Sequence, residues 1–326
     1  MFAELCCTSN FTFLTGASHP EEYVMRAHTL GYSGIGVTDE ASVSGAVRAH
    51  LASQTLNIPM VHGSRFRIDE QLELTFLAPN RKAWGELGQL TSLARRRSSK
   101  GAYQLTRRDL IGHTDTLLCL WHPHPQALDW TSQIESLSYA FRGRFWIAAH
   151  LPESGHQADL AERIDLTAFE WNLPVVATQR PLMHIRQRLK LQHTLTAIRL
   201  GAPIIEIADQ LERSSERTLM DQHGLKQRYP SAWLHESLNI LDRFDFSLSD
   251  LRYEYPQEIC PPQYDSEQAF LRDLVFEGAK RRWQQGIPDN ITRLIEKELT
   301  LIEEMNYACY FLTVHDIVAY ARSQNI

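Results

Sequence analysis

Gly34-Ile35-Gly36-Val37-Thr38-Asp39-Glu40 is the stretch on which the fold turns: a short apolar run that ends on two adjacent carboxylates. A run of this length, closed by polar residues, reads as a buried strand. Upstream, Ser18-His19-Pro20-Glu21 has the spacing of a capping box with proline in the first turn, and predicts a helix to about Leu30. Downstream, Val43 to Leu56 reads as a helix, Ile58-Pro59-Met60-Val61 starts a strand, and Leu72 to Ala78 alternates like another. Arg81 to Arg97 has helical periodicity through Trp84, Leu87, Leu90 and Leu93. Thr116 to Trp121, Arg144 to Ala149 and Leu173 to Ala177 read as strands, with helices over Asp129–Tyr139 and Gln157–Trp171. This alternation predicts a parallel sheet covered by helices, either a barrel or a doubly wound sheet. In such folds sites form at the C-terminal strand ends, here just after Leu5, Thr38, Val61, Leu120, Ala149 and Ala177.

The 326 residues suffice for about two domains at ~100–200 residues each. The net charge of −6 argues against a globally basic nucleic-acid binder but leaves room for a local basic face. With 43% hydrophobic and 22% charged residues the chain is globular rather than disordered. No apolar run approaches the ~18 residues of a membrane span, and Met1-Phe2-Ala3-Glu4-Leu5 lacks the features of a signal peptide. Five cysteines, Cys6 and Cys7 adjacent, suit a reducing compartment. These features predict a soluble cytoplasmic protein with no membrane partner.

From about Arg186 the strand signals fade. Tyr255-Pro256 to Pro261-Pro262 is a proline-rich break and the expected domain boundary, after which Glu267–Gln284 and Asn290–Glu304 read as helices. The chain stops at Ser323-Gln324-Asn325-Ile326 without a glycine or proline stop signal, which implies a piece of a longer protein. The apolar faces carrying Phe270, Leu274, Leu294, Leu301 and Tyr310 are then expected to await a partner outside it.

Several segments resemble the PHP (polymerase-and-histidinol-phosphatase) domain that opens bacterial C-family DNA polymerases. They are Glu4 to Ser18, Gly36-Val37-Thr38-Asp39-Glu40 with Gly45-Ala46, Gly63-Ser64-Arg65-Phe66, Ala94 to Tyr103, and Val175-Val176-Ala177-Thr178. Tyr310-Phe311-Leu312-Thr313-Val314-His315-Asp316-Ile317-Val318 is similar to the entry into the polymerase palm. The wording is closest to the error-prone, damage-induced branch of the DNA polymerase III alpha-subunit family. The resemblance implies an α/β fold: a PHP-type (β/α) barrel of about seven strands over residues 1–255, then a helical segment over 256–326 that begins the palm. It also implies an intact enzyme that extends primers on template DNA with Mg2+ during translesion synthesis. Implied partners are a sliding clamp and accessory mutasome proteins, among them an inactive Y-family polymerase homologue. The family's glycine-rich segment and catalytic aspartates would fall beyond Ile326, so Asp316 is not the catalytic carboxylate and this chain alone would not polymerise.

The family's barrel can hold a cluster of divalent metals, whose ligands must be several His and carboxylates converging on one point. Carried over position by position, the set fails. Cys6 and Thr8 stand at the opening His-x-His, Asp39 remains from an Asp-His pair whose histidine is Glu40, Arg65 replaces a glutamate, and Arg180 and Leu182 stand at the closing Asp-x-His. Of the seven only Asp39 keeps its ligand, and two now carry a fixed positive charge that repels a dication. The reading is a dismantled metal site with no bound metal and a structural or partner-docking role. Arg65 or Arg180 is expected to bridge to Asp39 or Glu40.

Three further signals carry competing readings. His122-Pro123-His124 follows a strand and is either a metal pair or, more simply, a solvated loop; Cys6 and Cys7 are either thiolate chemistry or core packing on opposite strand faces. Arg95-Arg96-Arg97 and Lys100, with Arg107-Arg108 close behind, form the densest basic patch: candidate DNA-phosphate contacts or an ordinary helix end favoured by the dipole. The alternative function is a free-standing metal-dependent phosphoesterase, which requires Asp39, Glu40, His122, His150 and His184 to converge.

Overall fold

The computed structural model describes residues 1–68, 72–127, 129–153, 155–251 and 260–325. They fall into two compact units, Met1–Asp250 and Leu251–Ile326. The proline-rich break at 255–262 lies largely outside the described residues.

The first unit is built on seven strands in sequential order: β1 (Ala3–Cys7), β2 (Gly34–Val37), β3 (Met60–Ile68), β4 (Leu72–Leu77), β5 (Leu118–His122), β6 (Phe145–Ala149) and β7 (Val175–Ala177). Helices α1 (Pro20–Thr29), α2 (Ala46–Leu56), α3 (Arg81–Arg96), α4 (Thr131–Ala140) and α5 (Gln157–Trp171) connect the strands, and α6 (Leu189–Leu200), α7 (Gln222–Arg228) and α8 (Ser231–Leu241) follow β7. The α1 cap falls one residue later than its spacing suggests: His19 N donates to Glu22 Oε2 at 2.8 Å, while the Ser18 hydroxyl engages His184.

The sheet curls into a nearly closed barrel. Its inside is filled by Leu5, Val61, Leu77, Leu120, Trp146 and Val176, one or more from most strands, and is capped from α8 by Ile240. The opposite strand faces meet the helices in a larger core that includes Tyr23, Ile35, Phe66, Phe76, Trp121 and Ile147. Cys6 lies in the inner cluster and Cys7 in the outer, the packing expected of neighbours on a strand. The two edges are joined by side chains. The Glu4 carboxylate of β1 accepts from Thr178 Oγ1 at 2.6 Å and Gln179 N at 2.7 Å, just past β7.

One strand departs from the all-parallel expectation. β4 is antiparallel to both β3 and β5, while the other neighbouring pairs are parallel. Only three residues separate Ile68 from Leu72, and a parallel crossover needs a dozen or more, so a hairpin is the one connection the chain length permits. The reversal puts the start of β4 beside the C-terminal ends of β3 and β5.

In the second unit, α9 (Glu267–Arg282), α10 (Asp289–Glu304) and α11 (Ala308–Ser323) share a small core of Leu271, Leu299, Ala308 and Leu312. Phe270 and Leu274 pack against that core rather than awaiting a partner, whereas Leu294, Leu301 and Tyr310 are exposed. No described helix is long and apolar enough to cross a membrane.

Candidate functional site at the barrel mouth

Asp39 follows β2 and is 2% exposed. Its carboxylate is saturated by one loop: Oδ1 accepts from Ser9 N at 2.8 Å, Thr12 N at 3.1 Å and Thr12 Oγ1 at 2.7 Å, and Oδ2 from Ser9 Oγ at 2.7 Å. Burial raises its pKa above the ordinary carboxylate value, although the Ser9 and Thr12 hydrogen bonds pull the other way. The loop doubles back so tightly that a Cβ on Gly16 would stand 2.1 Å from the Ser9 carbonyl oxygen, which explains glycine there. Asp39 is thereby an anchor for the 9–16 loop.

Glu40, the next residue, points elsewhere. Its Oε2 accepts from Arg65 Nη2 at 3.0 Å and its Oε1 from the Tyr103 hydroxyl at 2.8 Å. Arg65 lies on β3, its side chain only 7% exposed, and its Nη1 reaches Glu73 Oε1 at 3.6 Å. Glu73, brought to the mouth by the reversal of β4, also accepts from Arg180 Nη2. The expected bridge between an arginine and Glu40 is present through Arg65. Arg180 pairs instead with Glu73, a residue that the sequence reading did not single out.

These charges set each other's protonation. Burial alone would raise the Glu73 carboxyl, but the adjacent Arg180 and Arg65 charges outweigh it and hold it far below the usual range. Burial brings the Arg180 guanidinium down to about 10 against the pull of Glu73, so it stays cationic at neutral pH. Arg180 also has φ +48°, the left-handed region, just past β7. Its carbonyl accepts from Arg217 Nε at 3.0 Å.

The remaining positions are packing positions. Cys6 is 5% exposed, and burial with the Glu4 charge pushes its thiol up to about 12, so it is no thiolate at neutral pH. Thr8 N donates to Pro181 O at 3.0 Å. Leu182 is buried with Ala17 and Met183 in a small apolar cluster.

His122 corrects the solvated-loop expectation: it closes β5, is 3% exposed, and its Nε2 meets Thr75 Oγ1 at 2.8 Å. Burial and the nearby Arg180 charge bring its imidazole down to about 3. His124 is exposed, as expected. His150 Nδ1 faces the Thr178 carbonyl at 3.3 Å, and His184 Nδ1 faces Ser18 Oγ at 2.7 Å. A cavity of about 560 Å³ opens over the cluster, lined by Arg67, Glu73, His122, His124 and Arg180 among others.

The donor set does not fit a metal cluster. Asp39 is consumed by the Ser9–Thr12 loop, Glu40 and Glu73 by arginines, and among the described residues no three His, Cys, Asp or Glu side chains come together as a metal site. Asp39, Glu40, His122, His150 and His184 do not form one centre.

The basic patch divides. Arg95 turns inward: its Nε donates to Ala41 O at 3.1 Å and its Nη2 to Glu40 O at 3.2 Å, and its guanidinium lies over the Tyr103 ring. It braces the mouth and is removed from the DNA-contact candidates. Arg97 pairs with Asp109 at 2.7 Å, while Arg96 and Lys100 are exposed.

Residues 4–158 match the PHP domain family, and residues 269–326 match the family described as Bacterial DNA polymerase III alpha NTPase domain. The chain is similar along its whole length to proteins named error-prone DNA polymerase. That of Methylococcus capsulatus is 42% identical over 327 residues, covering 100% of this chain and 31% of the relative. That of Alkalilimnicola ehrlichii is 43% identical over 335 residues, covering 100% and 32%. The chain thus spans about a third of the length of these relatives. Among solved structures, an amidohydrolase from Chromobacterium violaceum shares 14% identity at TM-score 0.41, covering 56% of this chain and 88% of that one. A two-domain protein from Bacteroides vulgatus containing a predicted PHP-like metal-dependent phosphoesterase shares 12% at TM-score 0.38, covering 70% and 62%.

Proposed function

Since the chain carries a PHP domain joined to the start of a bacterial DNA polymerase III alpha domain, we propose that it is the N-terminal part of an error-prone DNA polymerase whose PHP barrel has exchanged metal chemistry for a structural role. One observation carries the second half of this reading: arginine guanidinium groups occupy the mouth and are paired there with Glu40 and Glu73. A dication would have to enter beside Arg65 and Arg180 and compete with them for the same carboxylates, at a Coulombic cost that grows as burial lowers the effective dielectric. The barrel then supplies a rigid platform rather than a hydrolase or proofreading nuclease. Polymerisation with Mg2+, the sliding clamp and the mutasome partners belong to the longer protein, acting in the cytoplasm during translesion synthesis.

Two experiments test this. The purified chain, titrated with Mn2+ or Zn2+ and assayed on bis-p-nitrophenyl phosphate, should bind no stoichiometric metal and show no turnover. Turnover abolished by Asp39→Ala would replace the structural reading with the phosphoesterase one. The full-length protein should extend a primer across an abasic template site, and failure there with normal extension on undamaged template would remove the translesion assignment.

A further inference from the structure

Residues 81–116 carry eight Lys and Arg against three Asp and Glu, a net +5, while the rest of the chain carries −11. This segment is α3, the loop after it and the 3₁₀ turn Arg107–Leu110, and it folds as one piece: Gln104 N donates to Ala94 O at 3.0 Å, and Arg97 pairs with Asp109. Arg81 and Lys82 stand in the first turn of α3, which has no acidic residue. Lys82 has a partner within the helix, Glu86 Oε1 at 3.8 Å, whereas Arg81 opposes the helix dipole at that end, so helix stability does not account for Arg81. Between the two basic ends of α3 the outward stripe is uncharged, Gly85, Gly88, Gln89 and Ser92, and with Leu93 it floors a groove of about 610 Å³ rimmed by Arg96, Arg97 and His113. Beyond Gly85 and Gly88 nothing stands within 4 Å of where a Cβ would be.

We infer that this face of α3 is a track for the phosphate backbone of duplex DNA. Cations at both ends with a side-chain-poor floor between them let a polyanion lie close to the helix, with Gln89 and Ser92 as neutral donors to phosphate oxygens. From Arg81 to Arg96 the helix runs about 22 Å, the axial length of about six base pairs at ~3.4 Å each. The aromatic rings of this region, Trp84 and Tyr103, contact Phe246 and Phe66, so no open stacking platform of the kind single strands need is offered here. That the polyanion is DNA rests on the polymerase reading above; the charge and shape of the face do not.

The test is fluorescence anisotropy of a labelled 20-base-pair duplex with the whole chain, at several salt concentrations. The affinity should fall as salt rises, by about 0.9 in the log–log slope for each phosphate contacted. Arg96→Ser, Lys100→Ser and Arg108→Ser together should weaken binding at least tenfold and flatten that slope by about 2–3. Arg142→Ser with Arg199→Ser, exposed arginines elsewhere, should change it less than twofold. The decisive variant is Gly85→Gln with Gly88→Gln. It fills the floor without an internal clash and improves helix propensity, so the melting temperature should hold or rise while DNA binding drops at least fivefold, a combination that misfolding cannot produce. Binding unchanged in both the triple-serine and the double-glutamine variant overturns the inference, as does tighter binding to phosphatidylserine vesicles than to duplex. No duplex binding even at low salt overturns it too, and leaves the family placement and the metal-loss reading standing.

Discussion

Arg180 reaches across the mouth of the barrel to Glu73, joining the loop after β7 to the second residue of β4, more than a hundred residues earlier. Arg65 reaches the same Glu73 oxygen, Oε1, so one carboxylate serves two guanidinium groups in a setting where all three side chains are at most one-fifth exposed. Closure of the barrel at this end is thus electrostatic, whereas the α8 end is closed by apolar packing around Ile240.

Glu73→Gln should be the most damaging single change at the mouth. It leaves two buried cations facing each other, and breaking a buried pair by removing one partner costs about 3–5 kcal/mol. Urea denaturation of the variant checks this; a loss below about 1 kcal/mol would mean that solvent already screens the cluster.

Asp39→Ala should loosen the 9–16 loop without touching any hydrolytic activity. Ser9 N, Ser9 Oγ and Thr12 Oγ1 lose their acceptor, at about 1–3 kcal/mol for each that stays buried and unpaired, while Thr12 N keeps the Ser9 carbonyl at 3.0 Å. Amide exchange at Ser9 and Thr12 should accelerate, since both NH groups donate to this carboxylate. Asp39→Asn, which keeps a carbonyl acceptor, should be milder. Equal losses in both variants would point to the negative charge rather than to the hydrogen bonds.

Stability should fall on acidification below about pH 6.5, the ordinary histidine value. Burial brings His62 down to about 4 and His122 to about 3, so the folded state resists protons that the unfolded chain accepts. The unfolded state then binds more protons, stability rises with pH, and the contribution is complete above about 6.5 and lost as pH falls towards the folded values. Between pH 6.5 and 5 each histidine should cost on the order of 2 kcal/mol. Replacing His62, which packs against Trp84 and Phe246, by phenylalanine should flatten the pH dependence of the denaturation midpoint, whatever its effect at neutral pH.

Amide exchange should be faster in α9–α11 than in the barrel strands. The second unit has four buried residues in its core cluster, against several dozen around the barrel, and opening free energy follows buried apolar contact. Uniformly slow exchange across both units would contradict this.

Much of the barrel was legible along the chain. The period of Leu72 to Ala78 and the apolar runs ending at Thr38, Ala149 and Ala177 are properties of a few adjacent residues, and local period alone determines strand or helix. The identities of Cys6, Thr8, Arg65, Arg180 and Leu182 were likewise enough to question a metal site, because ligand chemistry is a property of the side chain. Strand direction was not legible in this way. Periodicity is the same read in either sense, and only the three-residue link before Leu72, weighed against the span of a crossover, betrays the reversal of β4.

What tertiary structure alone decided is who meets whom. Asp39 and Glu40 are neighbours in sequence yet serve different partners, the Ser9–Thr12 loop and Arg65, since successive side chains leaving a strand diverge. Arg95, Arg96 and Arg97 are alike in sequence, but on a helix each turns about 100° from the last, so one braces the mouth, one faces solvent and one pairs with Asp109. His122 looked like a loop residue until the reversed β4 covered it. Ladder register and burial are long-range quantities, set by which strands the whole chain brings together, and no window of local sequence contains them.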